Sequence, residues 1–451
     1  MRAEVLILPL LLSLAAGLGA ADKPRPGGDV VTVLLLEDPA LQRLGERLFM
    51  DARLSRPEGQ SCAACHDSAS GWSGADHEKN LASGIYPGAV PERFGNRRPT
   101  TAAYSTYSPL LHAKREDGEL LFVGGVFWDG RATGHLLGNP AADQAQGPFL
   151  NPVEHNLPEA GTVVNSVESG PYAELFRQAW KTHGVEAPPG EVTRRKFGLI
   201  ALALAAFQHS PAVSPFTSKY DAYLRGQVRL SPVERRGLAL FEGKGKCADC
   251  HPNRKGPGGT LPLFTDFTYD NLGFPANPEN PWYRMGPGLN PAGVAWVDPG
   301  LAATLESLPQ YARMAPANLG KHRVPTLRNV DKRPHPGFVK AYGHNGYFKS
   351  LEAVIHFYNT RDVLPRPEAV ARPIPGVNCW PRPEVEVNLN REEMGDLRLS
   401  PRDEADLTAF LRTLSDGYQP PRSRPVPRAP GVADRSARPQ VSSRMGSGFN
   451  P

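Results

Sequence analysis

The chain has 451 residues, with 51 Lys and Arg against 46 Asp and Glu, a formal net charge of +5, and 40% hydrophobic and 22% charged residues. That length accommodates two or three domains, and 47 Pro and 45 Gly predict long loops. The small charge excess lies partly in a basic tail, and no dense Lys/Arg cluster interleaves with aromatics, which argues against a nucleic-acid partner.

At the start of the chain, Arg2 precedes the apolar run LILPLLLSLAAGL, which closes on Gly19, Ala20 and Ala21. An n-region, an h-region and a small-residue cleavage site read as a signal peptide over residues 1–21, directing the chain to the periplasm. An uncleaved membrane anchor is the alternative, and no later segment is apolar enough to cross a bilayer. After a Pro/Gly-rich leader, residues 40–50 predict a helix that leads into SCAACHD. There Cys62, Cys65 and His66 form Cys-x-x-Cys-His, the attachment sequence of a c-type haem. Two thiols add to the vinyl groups, and the adjacent imidazole supplies an axial nitrogen. A structural disulfide, a thioredoxin-like pair or half a zinc site would leave the His after the second Cys without a reason. The pattern returns at Cys247, Cys250 and His251, so two covalent haems are expected. Export fits them, because c-type haem is attached outside the cytoplasm.

Residues 191–209 predict an apolar helix, closing a first domain and packing against a second, with Ser210-Pro211 as its stop. Ser231 followed by Pro232 is an N-cap and first-turn pair for the next helix, which runs into the second haem motif. Both motifs follow an L/R-G-x-x-L-F segment, an internal repeat that implies two related domains. The expected organisation is a signal peptide at 1–21, cytochrome c-like domains at 22–225 and 226–418, and a tail at 419–451. The class is mainly α: two cytochrome c-like haem domains with long irregular loops and weak strand signals. The Pro/Arg/Ser-rich tail has too few apolar residues to fold, and docking is its alternative role. Cys379 is left as a free thiol, buried or on the surface.

Other segments carry a resemblance. VFWDGRA at 126–132, DQAQGPFLNPVE ending at Glu154, VPTLRNV, the Gly-His-Asn-Gly turn at 343–346 and LEAVIHFYN appear in order. Together they resemble the bacterial di-haem cytochrome c peroxidases, and more closely their MauG branch, over most of residues 40–415. The resemblance implies that the haem on His66 binds peroxide, that Gln144, Pro148 and Glu154 form the pocket on its open face, and that Trp128 lies between the haems. Heterolysis of an O–O bond moves a proton from one oxygen to the other, and a carboxylate above the iron can relay it. Taken without the family, Glu154 would read as a surface carboxylate and Trp128 as a core residue. The inserted GHLLGNP before Gln144 and His155 in the place of the usual Met depart from the pattern. The distal His of S-x-G-H is also missing, since the stretch reads Ser83, Gly84, Ile85. That implies a five-coordinate first haem, with His77 either a ligand brought round by its loop or a surface residue.

In ordinary peroxidases of the family a Met fourteen residues after the His of the turn binds the second haem iron. Counting fourteen on from His344 gives Tyr358, the residue type of the MauG branch, so the resemblance implies Tyr358 as that ligand. Leu351, Val354, Ile355 and Tyr358 also form one helical stripe, with His356 about 140° round from Leu351. The alternatives are His356 as the ligand, or Tyr358 as a core residue that touches no iron. A phenolate is a hard anionic ligand that favours oxidised iron. The family also implies a calcium ion, but Asn96 stands one place early for its motif and no ligand carries over. Implied partners are hydrogen peroxide with a small cytochrome c or cupredoxin as electron donor, or a protein or organic substrate. The family is often dimeric, and no stretch of this sequence marks an interface. The competing reading is a non-enzymatic di-haem electron carrier, which would have six ligands on both irons.

Overall fold

Asp38 opens the first long helix: its Oδ1 accepts the N–H of Ala40 at 2.6 Å and of Leu41 at 3.4 Å, with Pro39 at the first helical position. The structure is a computed structural model that describes residues 27, 28, 30–116, 118–184, 188–256 and 259–420. The signal-peptide stretch and all of the tail after residue 420 lie outside the described residues. Among these residues no helix is long and apolar enough to cross a membrane.

The fold is mainly α. In chain order the helices are α1 Val30–Leu36, α2 Pro39–Met50, α3 His77–Ala82, α4 Pro140–Leu150, α5 Ala160–Glu168, α6 Ala173–His183 and α7 Pro189–His209. There follow α8 Lys219–Leu224, α9 Pro232–Glu242, α10 Cys247–Cys250, α11 Leu301–Ser307, α12 Leu351–Thr360 and α13 Pro401–Arg412. Strands are few: β1 His112–Glu116 pairs antiparallel with β2 Glu119–Val123, and β3 Tyr269–Asp270 with β4 His322–Arg323. The first pair is a hairpin with Gly118 between its strands at φ +89°, a conformation open to glycine at little cost.

Two large apolar cores fill the body up to Tyr418, which is one compact unit. The first core gathers α2, α4, α5, α6 and α7; the second gathers α8, α9, α12 and α13. A smaller cluster of Leu111, Phe122, Tyr269, Leu301 and Leu305 joins the hairpin to α11.

The sequence repeat has a geometric meaning. Gly45 of α2 lies so close to α7 that an added Cβ would fall 1.9 Å from the Ala203 carbonyl oxygen. In the same way, a Cβ on Gly237 of α9 would fall 1.9 Å from the Asp406 carbonyl oxygen of α13. Each half therefore crosses its haem-leading helix against a second helix through a glycine. The α9 start is a capping box in which Ser231 and Glu234 satisfy one another's N–H groups. The α7 helix differs from expectation: its packing partners are α1, α2, α4, α5 and α6, all from the first half. Residues 197–208 are buried nearly all round, so the first core encloses the helix and leaves it no second face to offer.

Candidate active site

Both Cys-x-x-Cys-His segments form single tight turns that turn three side chains into one cavity. In the first, the N–H groups of Cys65 and His66 donate to the Cys62 carbonyl, and in the second the His251 N–H donates to that of Cys247. His66 Nδ1 lies 2.9 Å from the Trp72 carbonyl, and His251 Nδ1 lies 2.8 Å from that of Phe264. A ring whose Nδ1–H donates to a carbonyl keeps its Nε2 lone pair for a metal. Burial pulls the His251 pKa down to about 4 and also lowers that of His66, so both rings are neutral, as ligands must be.

The cavity that holds Cys62, Cys65 and His66 is also lined by Gln144, Pro148, Glu154 and Trp128. Asn139 builds part of this wall. It lies in the inserted segment, and its Oδ1 accepts the Ala141 N–H at 2.9 Å, capping the helix that carries Gln144 and Pro148. Beyond that helix, Asn151 donates from Nδ2 to Glu154 Oε1 at 2.6 Å and fixes the carboxyl group. Burial raises the Glu154 pKa, opposed by Arg131 and by the Asn151 hydrogen bond. His155 is buried under the same wall, with Nδ1 2.6 Å from the Leu54 carbonyl and its ring edge-on to Phe149. His77 does not line this cavity; its Nδ1 accepts the Val339 N–H at 3.0 Å. Ile85 is buried.

The second cavity holds Cys247, Cys250, His251 and, from α12, Leu351, Val354, Ile355 and Tyr358. Burial beside Cys250 and Cys247 raises the Tyr358 pKa. His356 is turned away, its Nδ1 3.0 Å from Glu404 Oε1 on α13, and it is absent from the cavity lining. Trp128 lines both cavities, is 7% exposed, and donates from Nε1 to the Arg98 carbonyl at 2.9 Å. Cys379 is a buried free thiol.

Two arginines escaped the sequence reading. Arg98 and Arg323 line both cavities, and neither has a carboxylate ion-pair partner among the described residues. Arg98 donates to the Gly343 carbonyl and to Ser73 Oγ, and burial pulls its pKa down to about 10. Arg323 has a buried Nε with no hydrogen-bond partner. A guanidinium buried without a counter-charge is costly, and anionic haem propionates are the groups that would answer it. Two thiols, one neutral imidazole and these orphaned cations fit a covalent haem in each cavity. The available signal was a second echo in the sequence, Arg98-Pro-Thr and Arg323-Val-Pro-Thr.

A calcium ion fits less well. Asn96 lines the first cavity, and the next residue, Arg97, drives its guanidinium between Asp129 at 2.5 Å and Asp298 at 2.6 Å. Calcium takes six to eight oxygen ligands, and the Asn96 side chain brings at most one.

A family model described as di-haem cytochrome c peroxidase matches residues 39–229. The chain is 35% identical to the methylamine utilization protein MauG of Paracoccus denitrificans, over 92% of this chain and 96% of that one. It is 30% identical to the cytochrome c551 peroxidase of Pseudomonas aeruginosa, over 54% of this chain and 62% of the other. Among solved structures, the diheme peroxidase BthA of Burkholderia thailandensis superposes with a TM-score of 0.67 at 29% identity, covering 84% of this chain and 87% of that one.

Proposed function

The chain belongs to the di-haem cytochrome c peroxidase family that includes MauG and is an oxidoreductase with two c-type haems; from that premise we propose that it reduces hydrogen peroxide at the haem held by Cys62, Cys65 and His66. One observation carries this reading: Glu154, Gln144 and Pro148 share that haem's cavity, whereas the second cavity has Tyr358 in it. When bound, the first haem supplies an iron that takes peroxide and accepts electrons.

The work of the side chains follows from their chemistry. Glu154, held at Oε1 by Asn151, takes the proton of the near peroxide oxygen and delivers it to the departing one. Gln144 would offer an amide N–H to an oxygen of the bound peroxide, and Pro148 fills the wall without competing for a proton. His251 and Tyr358 are the residues that would hold the iron of the second haem, and a phenolate there would suit storage of oxidising equivalents rather than of electrons. Trp128, in the wall of both cavities, conducts between them.

We assign the reducing equivalents to a small cytochrome c or cupredoxin, or to a MauG-like protein or organic substrate; Tyr358 favours the second. Residues 1–21 support export to the periplasm. The deciding experiment is peroxide consumption with reduced cytochrome c, compared between the wild type and Glu154→Gln. Loss of 10²- to 10⁴-fold in turnover, with unchanged haem content, is expected. Equal rates, or two low-spin haems whose ferric spectra ignore peroxide, would reduce the protein to an electron carrier.

A further inference from the structure

Beside Trp128, in the wall of the cavity that also holds Cys247, Cys250 and His251, four side chains from separate stretches converge. Asp298 precedes α11, His322 lies on β4, His344 sits in the Gly-His-Asn-Gly turn, and Glu384 comes from the long loop before α13. His322 Nε2 is 3.3 Å from Asp298 Oδ2; His344 Nε2 is 3.9 Å from the same oxygen and 3.7 Å from Glu384 Oε2. Side-chain exposures are 1% for Asp298, 6% for Glu384, 8% for His344 and 12% for His322. His322 Nε2, His344 Nε2 and Glu384 Oε2 are all buried without a hydrogen-bond partner.

Three orphaned polar atoms in one place need a common answer, since each alone would be destabilising. Their separations are too long for ordinary hydrogen bonds, which close at about 2.7–3.2 Å. They lie near the edges of a coordination shell: bonds of about 2.0–2.2 Å to a tetrahedral ion put neighbouring donors about 3.3–3.6 Å apart. The 3.3 Å pair meets that spacing, and the 3.7 and 3.9 Å pairs reach it by a small inward shift. The carboxylates are already oriented from behind. Glu384 Oε1 accepts the Asp298 N–H at 3.0 Å, and Arg97 grips Asp298 at 2.6 and 2.7 Å while Asp129 answers its charge.

We propose that Asp298, His322, His344 and Glu384 bind a first-row divalent cation of the zinc type. Two imidazoles with two carboxylates are a borderline donor set that suits such an ion and not calcium, which prefers six or more oxygens. The imidazole rings stand 3.6 Å apart and 10° from parallel, so one must tilt to aim its lone pair at an ion shared with the other. Loading would bring a divalent charge against the His344 ring, whose centroid is 6.4 Å from that of Trp128.

The test uses the full-length di-haem protein, stripped with a chelator, incubated with Zn²⁺ alone or Ca²⁺ alone, desalted, and assayed by elemental mass spectrometry against haem iron. One retained Zn²⁺ per two haem irons is expected for the wild type, with no retained Ca²⁺. The isosteric Glu384→Gln should weaken Zn²⁺ binding at least tenfold, His322→Gln more, and the surface control His112→Gln not at all. Haem content and far-UV circular dichroism show whether each variant is folded. If His322→Gln misfolds, Glu384→Gln and the wild-type stoichiometry decide. Absence of retained Zn²⁺ in the wild type, retention of Ca²⁺ instead, or equal Zn²⁺ binding by Glu384→Gln would overturn the assignment.

Discussion

Glu154 is a carboxyl group whose burial works against its charge, and the direction of that effect can be read in a pH profile. Its pKa is raised from 4.5, so the proton-accepting form needs a higher pH than an ordinary glutamate does. The kcat/KM for peroxide should therefore climb with pH along an acid limb above 4.5, and Glu154→Gln should remove the limb together with most of the rate. A limb that persists in the variant would assign it to another group. Tyr358 permits a different measurement. Exchanging a phenolate for a thioether favours ferrous iron, so Tyr358→Met should raise the potential of one haem on the order of tenths of a volt and leave the other in place. A redox titration in which neither wave moves would make Tyr358 a packing residue.

At the scale of elements, the two glycine crossings are the sharpest test of how the halves are built. Alanine at position 45 gains about 0.5–1 kcal/mol of helix propensity. It also forces the backbone of α7 away from a contact of 1.9 Å, and overpacking of that kind costs about 1–3 kcal/mol. The clash should win, so Gly45→Ala lowers Tm, whereas alanine at the open Gly190 should not. These elements also explain what could be read from the sequence. The helix at 40–50, the capped start at Ser231 and the stripe of α12 were legible because each follows from spacing over one or two turns. The hairpin at 112–123 was missed because β1 is mostly exposed and shows no apolar alternation. The neighbours of α7 were misjudged because a helix apolar on every side gives no direction in which to look. Arg98 and Arg323 had only the short Pro-Thr echo to mark them, and the cluster around His344 is assembled from four stretches spread over residues 298–384, so no single helix or turn pattern brings its members together.

Across the whole molecule, a buried ion pair ties the chain near position 221 to the chain near 328. Arg328 donates from Nη1 and Nη2 to Asp221 at 3.0 and 2.8 Å, and its guanidinium lies over Tyr104 and Phe216 at 4.9 and 4.3 Å. Burial alone would raise the Asp221 pKa, but Arg328 brings it below the usual value. A carboxylate depressed in the folded state stabilises above its unfolded pKa and loses that contribution as pH falls through the folded value. Unfolding by acid should therefore set in below about pH 4, the ordinary aspartate range. Arg328→Ala would leave Asp221 buried and unanswered, a loss of about 3–5 kcal/mol measurable by denaturant titration. The two guanidiniums shared by both cavities carry a further consequence, for the order in which the holoprotein is assembled. A chain that has received one prosthetic group would still lack the anions that the other brings to Arg98 and Arg323, so maturation should be cooperative. Removing the thiols of either attachment turn should then leave few singly loaded molecules, and these should be cut by protease faster than the finished protein throughout their length.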